Sequence, residues 1–174
     1  TWTDVSEQVT FPKGVRHGTA FTVDEAVLDA LLGNHQVTSP DGNLTVRFNV
    51  ESGVPTYSVE CEGKQFLTRS PLGLETSIGD FTQGMKLVET QTTTVKDSYD
   101  LSRSKVSHVD YVATQTDFVL ENAKGKRMTV TFRVSGNDVA FRYSFPKQPR
   151  ETPMNIVVRR EATGFAFPGE TTTY

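Results

Sequence analysis

The stretch Met128-Thr129-Val130-Thr131-Phe132-Arg133-Val134, Ser135-Gly136-Asn137-Asp138, Val139-Ala140-Phe141-Arg142-Tyr143-Ser144-Phe145 reads as two strands and the turn between them. Apolar side chains fall at every second position on both sides of the turn. A period of two places them on one face of a pleated strand, and the residues between them on the other. Ser-Gly-Asn-Asp supplies the turn chemistry that reverses the chain. The prediction is an antiparallel pair whose aromatic face supplies much of a core.

The same texture extends in both directions. Upstream, Asn122-Ala123-Lys124-Gly125 predicts a hairpin loop behind a strand that carries Val109, Tyr111, Val112, Phe118 and Val119. Met85 to Lys96 is rich in Thr and Val, whose β-branched side chains suit a pleated surface. Leu44, Val46, Phe48 and Val50 alternate strictly with polar residues, and Tyr57, Val59 and Cys61 do the same after the turn at Glu51-Ser52-Gly53. Glu62-Gly63-Lys64 turns again, and Gln65 to Thr68 pairs back, giving a β-meander. Residues Ser70 to Gly84 are less regular, and Pro71-Leu72-Gly73-Leu74 reads as a turn or short edge segment. Downstream, Ile156 to Val158 and Phe165 to Phe167 predict two further short strands. Strands about ten residues apart with turn residues between them predict an antiparallel β-sandwich or barrel.

The single helix signal lies near the start. Thr22 and Glu25 have capping-box spacing, Val27, Leu28, Leu31 and Leu32 form one apolar stripe, and Gly33-Asn34 ends it. Such a helix could dock on the sandwich, cover a sheet edge or meet a partner. Composition shifts near residues 33–37, so residues 1–36 form a segment with a short helix and no assigned role, and residues 37–174 form the sandwich.

Composition excludes several function classes. With 36% hydrophobic and 22% charged residues, the 174-residue chain suits one folded domain. The net charge is −3 and no basic block occurs, so no nucleic-acid partner is expected. No apolar run of about 18 residues is present, so no membrane span is expected. The first residues do not read as a signal peptide.

Chemistry-bearing motifs are few. There is no phosphate-binding glycine loop, nucleophile elbow or Cys/His cluster of zinc spacing. Cys61 shares a face with Tyr57 and Val59 and reads as a small buried residue. His17, His35 and His108 read as surface residues. Asp41, Asp80, Asp97, Asp100 and Asp138 fall at turns or loops, where Asp bonds the local backbone. Trp2, Tyr57, Tyr99, Tyr111 and Tyr174 could stack on sugars, but they form no strip. Glu161, after Arg159-Arg160, has two readings: a strand-end carboxylate paired with an arginine, or a hard-cation ligand or substrate contact.

Four segments in order carry a resemblance: Ser39-Pro40-Asp41-Gly42-Asn43-Leu44-Thr45-Val46, Ser70-Pro71-Leu72-Gly73-Leu74, Met128 to Val134 and Asp138 to Tyr143. From Val37 to Tyr174 the chain resembles the N-terminal domain of glycoside hydrolase family 97, a family of α-glucosidases and α-galactosidases, many from Bacteroides-type bacteria. The resemblance implies a sandwich of the galactose-mutarotase-like super-sandwich kind, packed against a (β/α)₈ barrel that carries the catalytic carboxylates. It implies a calcium ion in the parent enzyme's active site, with Glu161 as the position that best matches the glutamate ligand of this domain. One carboxylate holds calcium weakly, because the ion takes roughly six to eight oxygens, so none is expected in the isolated domain. It further implies an α-linked oligosaccharide substrate and a periplasmic or secreted location. The chain would then be a truncated domain, inactive alone, forming one wall of the substrate pocket. The alternative is a stand-alone carbohydrate-binding or structural module, marked by an exposed aromatic platform.

Overall fold

A computed structural model of the chain describes residues 35–102, 105, 107–147, 155–169 and 171–172. The expected helix, Trp2, His17 and Tyr174 lie outside the described residues. Eleven strands are formed among the described residues, in three antiparallel sheets. The first sheet has the order β1 (His35–Thr38), β2 (Leu44–Glu51), β3 (Val54–Cys61), β4 (Lys64–Pro71); β2 to β4 are the expected meander, and β1 adds a strand to it. The second runs β10 (Val139–Ser144), β9 (Arg127–Val134), β8 (His108–Glu121), β7 (Lys86–Asp100). The third is small: β11 (Val158–Glu161), β5 (Leu74–Thr76), β6 (Gly79–Asp80).

The two four-stranded sheets face each other through β1, β2, β8 and β9. The alternation read from the sequence sets this face. Leu44, Val46 and Phe48 point inward from β2, and Met128, Val130, Phe132 and Val134 point inward from β9, all buried. Phe48 stacks on Phe118 of β8 with ring centroids 4.3 Å apart and planes 16° apart. Phe132 completes the group at 6.2 Å from Phe48 and 6.3 Å from Phe118. Offset aromatic pairs at these distances add directional attraction to the burial of apolar surface.

Some expectations need correcting. Phe141, Tyr143 and Phe145 pack against the core but stay partly exposed, because β10 is an edge strand. Pro71 to Leu74 is not a mere edge: Leu72 and Leu74 are buried there, with Phe81 and Met85 buried further along. Gly73 makes that corner possible, with φ +139° and the Phe81 carbonyl oxygen 2.6 Å from where a Cβ would sit. The strand expected at Ile156 to Val158 begins only at Val158, and Val157 and Val158 are exposed. Phe165 to Phe167 joins no ladder. Instead, the Thr68 amide donates to the Ala166 carbonyl, and the Ala166 amide to the Ser70 hydroxyl. Asp97 and Asp100 lie within β7, not in a loop. His35 opens β1 half-buried, 5.8 Å from the Phe118 ring, and is not a surface residue. No described helix is long and apolar enough to cross a membrane.

Candidate functional site

Glu161 ends β11, which is held on β5 from far away in sequence. Val158 lies opposite Thr76, Arg160 opposite Glu75, and Glu161 opposite Leu74, with an irregularity between Val158 and Arg160. A bulge of this kind re-aims the side chains that follow it. The Arg160 guanidinium bonds the Glu75 carboxylate, with Nε 2.8 Å from Oε1, and that bond holds the guanidinium pKa above its usual value. Glu161 is therefore not the arginine's partner, and the paired-carboxylate reading is corrected. Its side chain is exposed and makes no ion pair among the described residues.

The chain beyond Glu161 is tied down as a strap. The Ala162 amide donates to the Gly73 carbonyl at 2.9 Å, and the Gly164 amide to the Pro71 carbonyl at 3.0 Å. The Tyr57 hydroxyl donates to the Gly164 carbonyl at 3.1 Å. The Tyr143 hydroxyl accepts from the Gly73 amide at 3.0 Å and shares a hydrogen bond of 2.6 Å with the Thr163 hydroxyl. Burial raises the Tyr143 pKa, and the nearby Glu161 charge raises it further, so the phenol keeps its proton. Tyr143, Gly73 and Thr163 were missed as site residues from sequence. Their only signal was that Gly73 and Tyr143 fall in the segments carrying the family resemblance.

No group of three or more His, Cys, Asp or Glu residues able to hold a metal occurs among the described residues. Glu161 could serve as one hard oxygen donor, since no cation among the described residues pairs with it, but further oxygens would have to come from outside these residues.

Two recesses and one polar cluster lie elsewhere on the surface. A polar recess of about 470 Å³ beside β5 and β11 carries Glu75, Asp80, Lys124 and Arg159. Burial would raise the Asp80 pKa, but the Thr82 hydroxyl and amide outweigh it and the carboxyl titrates below its usual range. An apolar cleft of about 340 Å³ lies where β3 and β4 meet β10. Phe66, Phe165 and Phe167 line it with large exposed faces. Phe66 and Phe167 meet edge-on at 83°, so they make no flat stacking platform. Cys61 also lines this cleft and is exposed, contrary to the buried reading, because the end of β3 opens onto the cleft. His108, exposed as expected, sits between Asp100 and Asp110 at 2.7 and 3.2 Å. Tyr57 is buried, Tyr111 half-buried and Tyr99 exposed.

The chain is similar to known carbohydrate-active proteins. A family model described as "Glycosyl-hydrolase 97 N-terminal" matches residues 37–174. A probable retaining alpha-galactosidase of Streptomyces bingchenggensis is 28% identical over 129 residues, 74% of this chain and 19% of that protein. The crystal structure of a beta-arabinopyranosidase aligns with a TM-score of 0.72 and 42% identity, over 77% of this chain and 21% of the other. A glycoside hydrolase family 97 enzyme from Pseudoalteromonas sp. strain K8, in complex with panose, aligns with a TM-score of 0.69 and 25% identity, over 78% of this chain and 20% of that one. The chain thus spans about a fifth of the length of these relatives. With the family's model matched across the whole sandwich, the chain belongs to the N-terminal domain family of glycoside hydrolase family 97.

Proposed function

We propose that this chain is the non-catalytic N-terminal β-sandwich domain of a calcium-dependent α-glycosidase, forming one wall of the substrate pocket against a (β/α)₈ barrel. The observation that carries the reading is Glu161: an exposed carboxylate at the end of β11 with no ion pair among the described residues, followed by a strap tied to the body of the domain. Within it, Glu161 would supply one oxygen to the ion, and the other donors would come from the barrel. Bound there, calcium would supply a fixed positive charge. The domain itself does no bond breaking; it positions and shields.

The substrate class favoured is a galacto-configured sugar. The relatives named for α-galactosidase and β-arabinopyranosidase action support this, since an L-arabinopyranose ring has the galacto configuration without its C6 group. The 42% identity to the arabinopyranosidase exceeds the 25% identity to the panose-bound enzyme. A stand-alone sugar-binding module is disfavoured by the edge-on phenylalanines of the apolar cleft, which offer no flat platform.

The test uses the full-length enzyme with Glu161→Gln. Calcium affinity, measured by direct titration of metal-free protein, should fall by about tenfold or more, equivalent to about 1.4 kcal/mol or more. An unchanged calcium affinity would reject Glu161 as a ligand.

A further inference from the structure

We propose that the polar recess beside β5 and β11 is a binding site for an acidic sugar, a hexuronic acid residue whose carboxylate is held by Arg159 and Lys124. The proposal depends neither on Glu161 nor on any metal. The family assignment enters only in choosing a sugar as the bearer of the carboxylate. Three observations carry it.

First, the recess is built from three parts of the chain that are distant in sequence. One is the turn between β5 and β6, where the Thr76 hydroxyl donates to the Gly79 carbonyl at 3.0 Å and accepts from the Ile78 amide at 3.2 Å. Another is the loop that carries Lys124. The buried Asn122 fastens it: its side-chain nitrogen donates to the Asp80 carbonyl at 3.1 Å, and its side-chain oxygen accepts from the Lys124 and Lys126 amides at 3.0 Å each. The third is β11 and its approach. The Ser77 amide donates to the Val157 carbonyl at 2.9 Å, and the Val157 amide to the Ser77 hydroxyl at 3.1 Å. Arg159 falls at the irregularity between Val158 and Arg160, where β11 has one residue more than β5. A bulge of this kind turns a side chain out of the ladder.

Second, the acids of the recess are engaged and two of its cations are not. Glu75 accepts from the Arg160 guanidinium, and Asp80 from the Thr82 amide and hydroxyl and the Gln83 side-chain nitrogen. Lys124 and Arg159 are exposed, and neither has an ion-pair partner among the described residues.

Third, charge and size select the ligand. Against the carboxylates of Glu75 and Asp80 stand Lys124, Arg159 and Arg160, an excess of one positive charge. That matches a single carboxylate better than a phosphate group, which carries about −1.5 to −2 at neutral pH. The guanidinium fork suits a planar carboxylate, and the ammonium adds a point charge. Glu75 and Asp80 keep lone pairs that accept from ring hydroxyls. The volume of about 470 Å³ lies within the roughly 300–1,000 Å³ of ligand pockets. Ile78 is the one apolar side chain lining the recess, so the ligand must be polar throughout.

The experiment titrates the full-length enzyme by calorimetry with sodium D-galacturonate, D-galactose and inorganic phosphate, at low salt and at about 1 M salt. The variants are Arg159→Gln, Lys124→Gln, the two combined, and Lys126→Gln as a control on the same loop but outside the recess. The substituted residues are exposed, so melting temperatures should match the wild type. Galacturonate affinity should fall by about fivefold in each single variant and by about twentyfold or more in the double. It should also fall at high salt. Galactose binding, at whatever site the rest of the enzyme offers, should be the same in the wild type and the double variant. Lys126→Gln should bind galacturonate like the wild type. The inference is overturned if the double variant binds galacturonate within about twofold of wild type, or if Lys126→Gln weakens it as much as Arg159→Gln. Phosphate held through Arg159 and Lys124 as tightly as galacturonate would reduce the recess to a bare anion site and overturn the sugar assignment. Turnover of a neutral α-galactoside reads the glycosidase assignment separately, so failure of one leaves the other standing.

Discussion

Phe48→Ala is the sharpest test of the sandwich. Phe48 is fully buried on β2 and stacks on Phe118 across the interface, 4.3 Å from ring centre to ring centre. Phe132 lies beside both rings. Truncation leaves a cavity walled by rigid rings on strands paired along their length, so the site cannot collapse easily. Large-to-small changes of this type cost about 3–5 kcal/mol, and the stacked geometry argues for about 4. Domains of this size have roughly 5–15 kcal/mol in total, so the variant should stay folded with a thin margin. Urea unfolding followed by far-UV circular dichroism would measure it. With a slope of about 2 kcal/mol per molar, the midpoint should drop by about 2 M with the slope unchanged. Phe48→Leu keeps most of the volume and loses the stack, so about 1–1.5 kcal/mol is expected. Thr93→Ala, on the exposed β7, should stay within about 0.5 kcal/mol of the parent. If Phe48→Ala shifts the midpoint no more than Thr93→Ala, the facing of the two sheets is wrong.

Two further outcomes follow from the turns. Asp41 accepts hydrogen bonds from the Ser39 hydroxyl and the Asn43 amide, which hold its pKa below the usual 3.8. A depressed carboxyl adds stability above its unfolded value and loses it as pH falls through the folded one. The stability gap between wild type and Asp41→Asn should therefore be open at neutral pH and narrow as pH drops below 3.8, read from urea midpoints across that range. Gly73→Ala should destabilise by more than the roughly 1–3 kcal/mol of a strained backbone alone, because its Cβ would also meet backbone atoms of Phe81 and Thr82. A normal melting temperature for Gly73→Ala would refute the tight corner.

What could be read from the sequence was the side of each sheet. Leu44, Val46 and Phe48 on β2, and Met128 to Val134 on β9, point inward as their spacing predicts. Period-two alternation names the inward face but not whether anything lies opposite it. Cys61 has the parity of Tyr57 and Val59, yet it is exposed because the end of β3 opens onto a cleft. Phe141 and Tyr143 have the parity of the core, yet their strand is an edge. The Thr-rich β7 was legible through β-branched propensity, although its residues are almost all exposed. Pairings distant in sequence were not legible. Nothing local to Arg160 points to Glu75, so the nearer Glu161 was an equally good candidate for its partner.

Stability and presentation therefore rest on different interactions in this domain. The sandwich is held by apolar burial, which is non-directional and tolerates error in where any one atom sits. The strap from Ala162 to Ala166 is held mostly by hydrogen bonds to residues 57, 68–73 and 143. Each contributes only about 0.5–1.5 kcal/mol net, but each fixes a distance and a direction. Burial cannot fix a charged side chain that stays exposed, so only that second kind of restraint is left to it. Glu161, at the end of a short third sheet at the margin of the sandwich, is such a residue. The carboxylate stays in solvent, and the backbone beneath it is fixed from three directions by β5, the Gly73 corner and Tyr143.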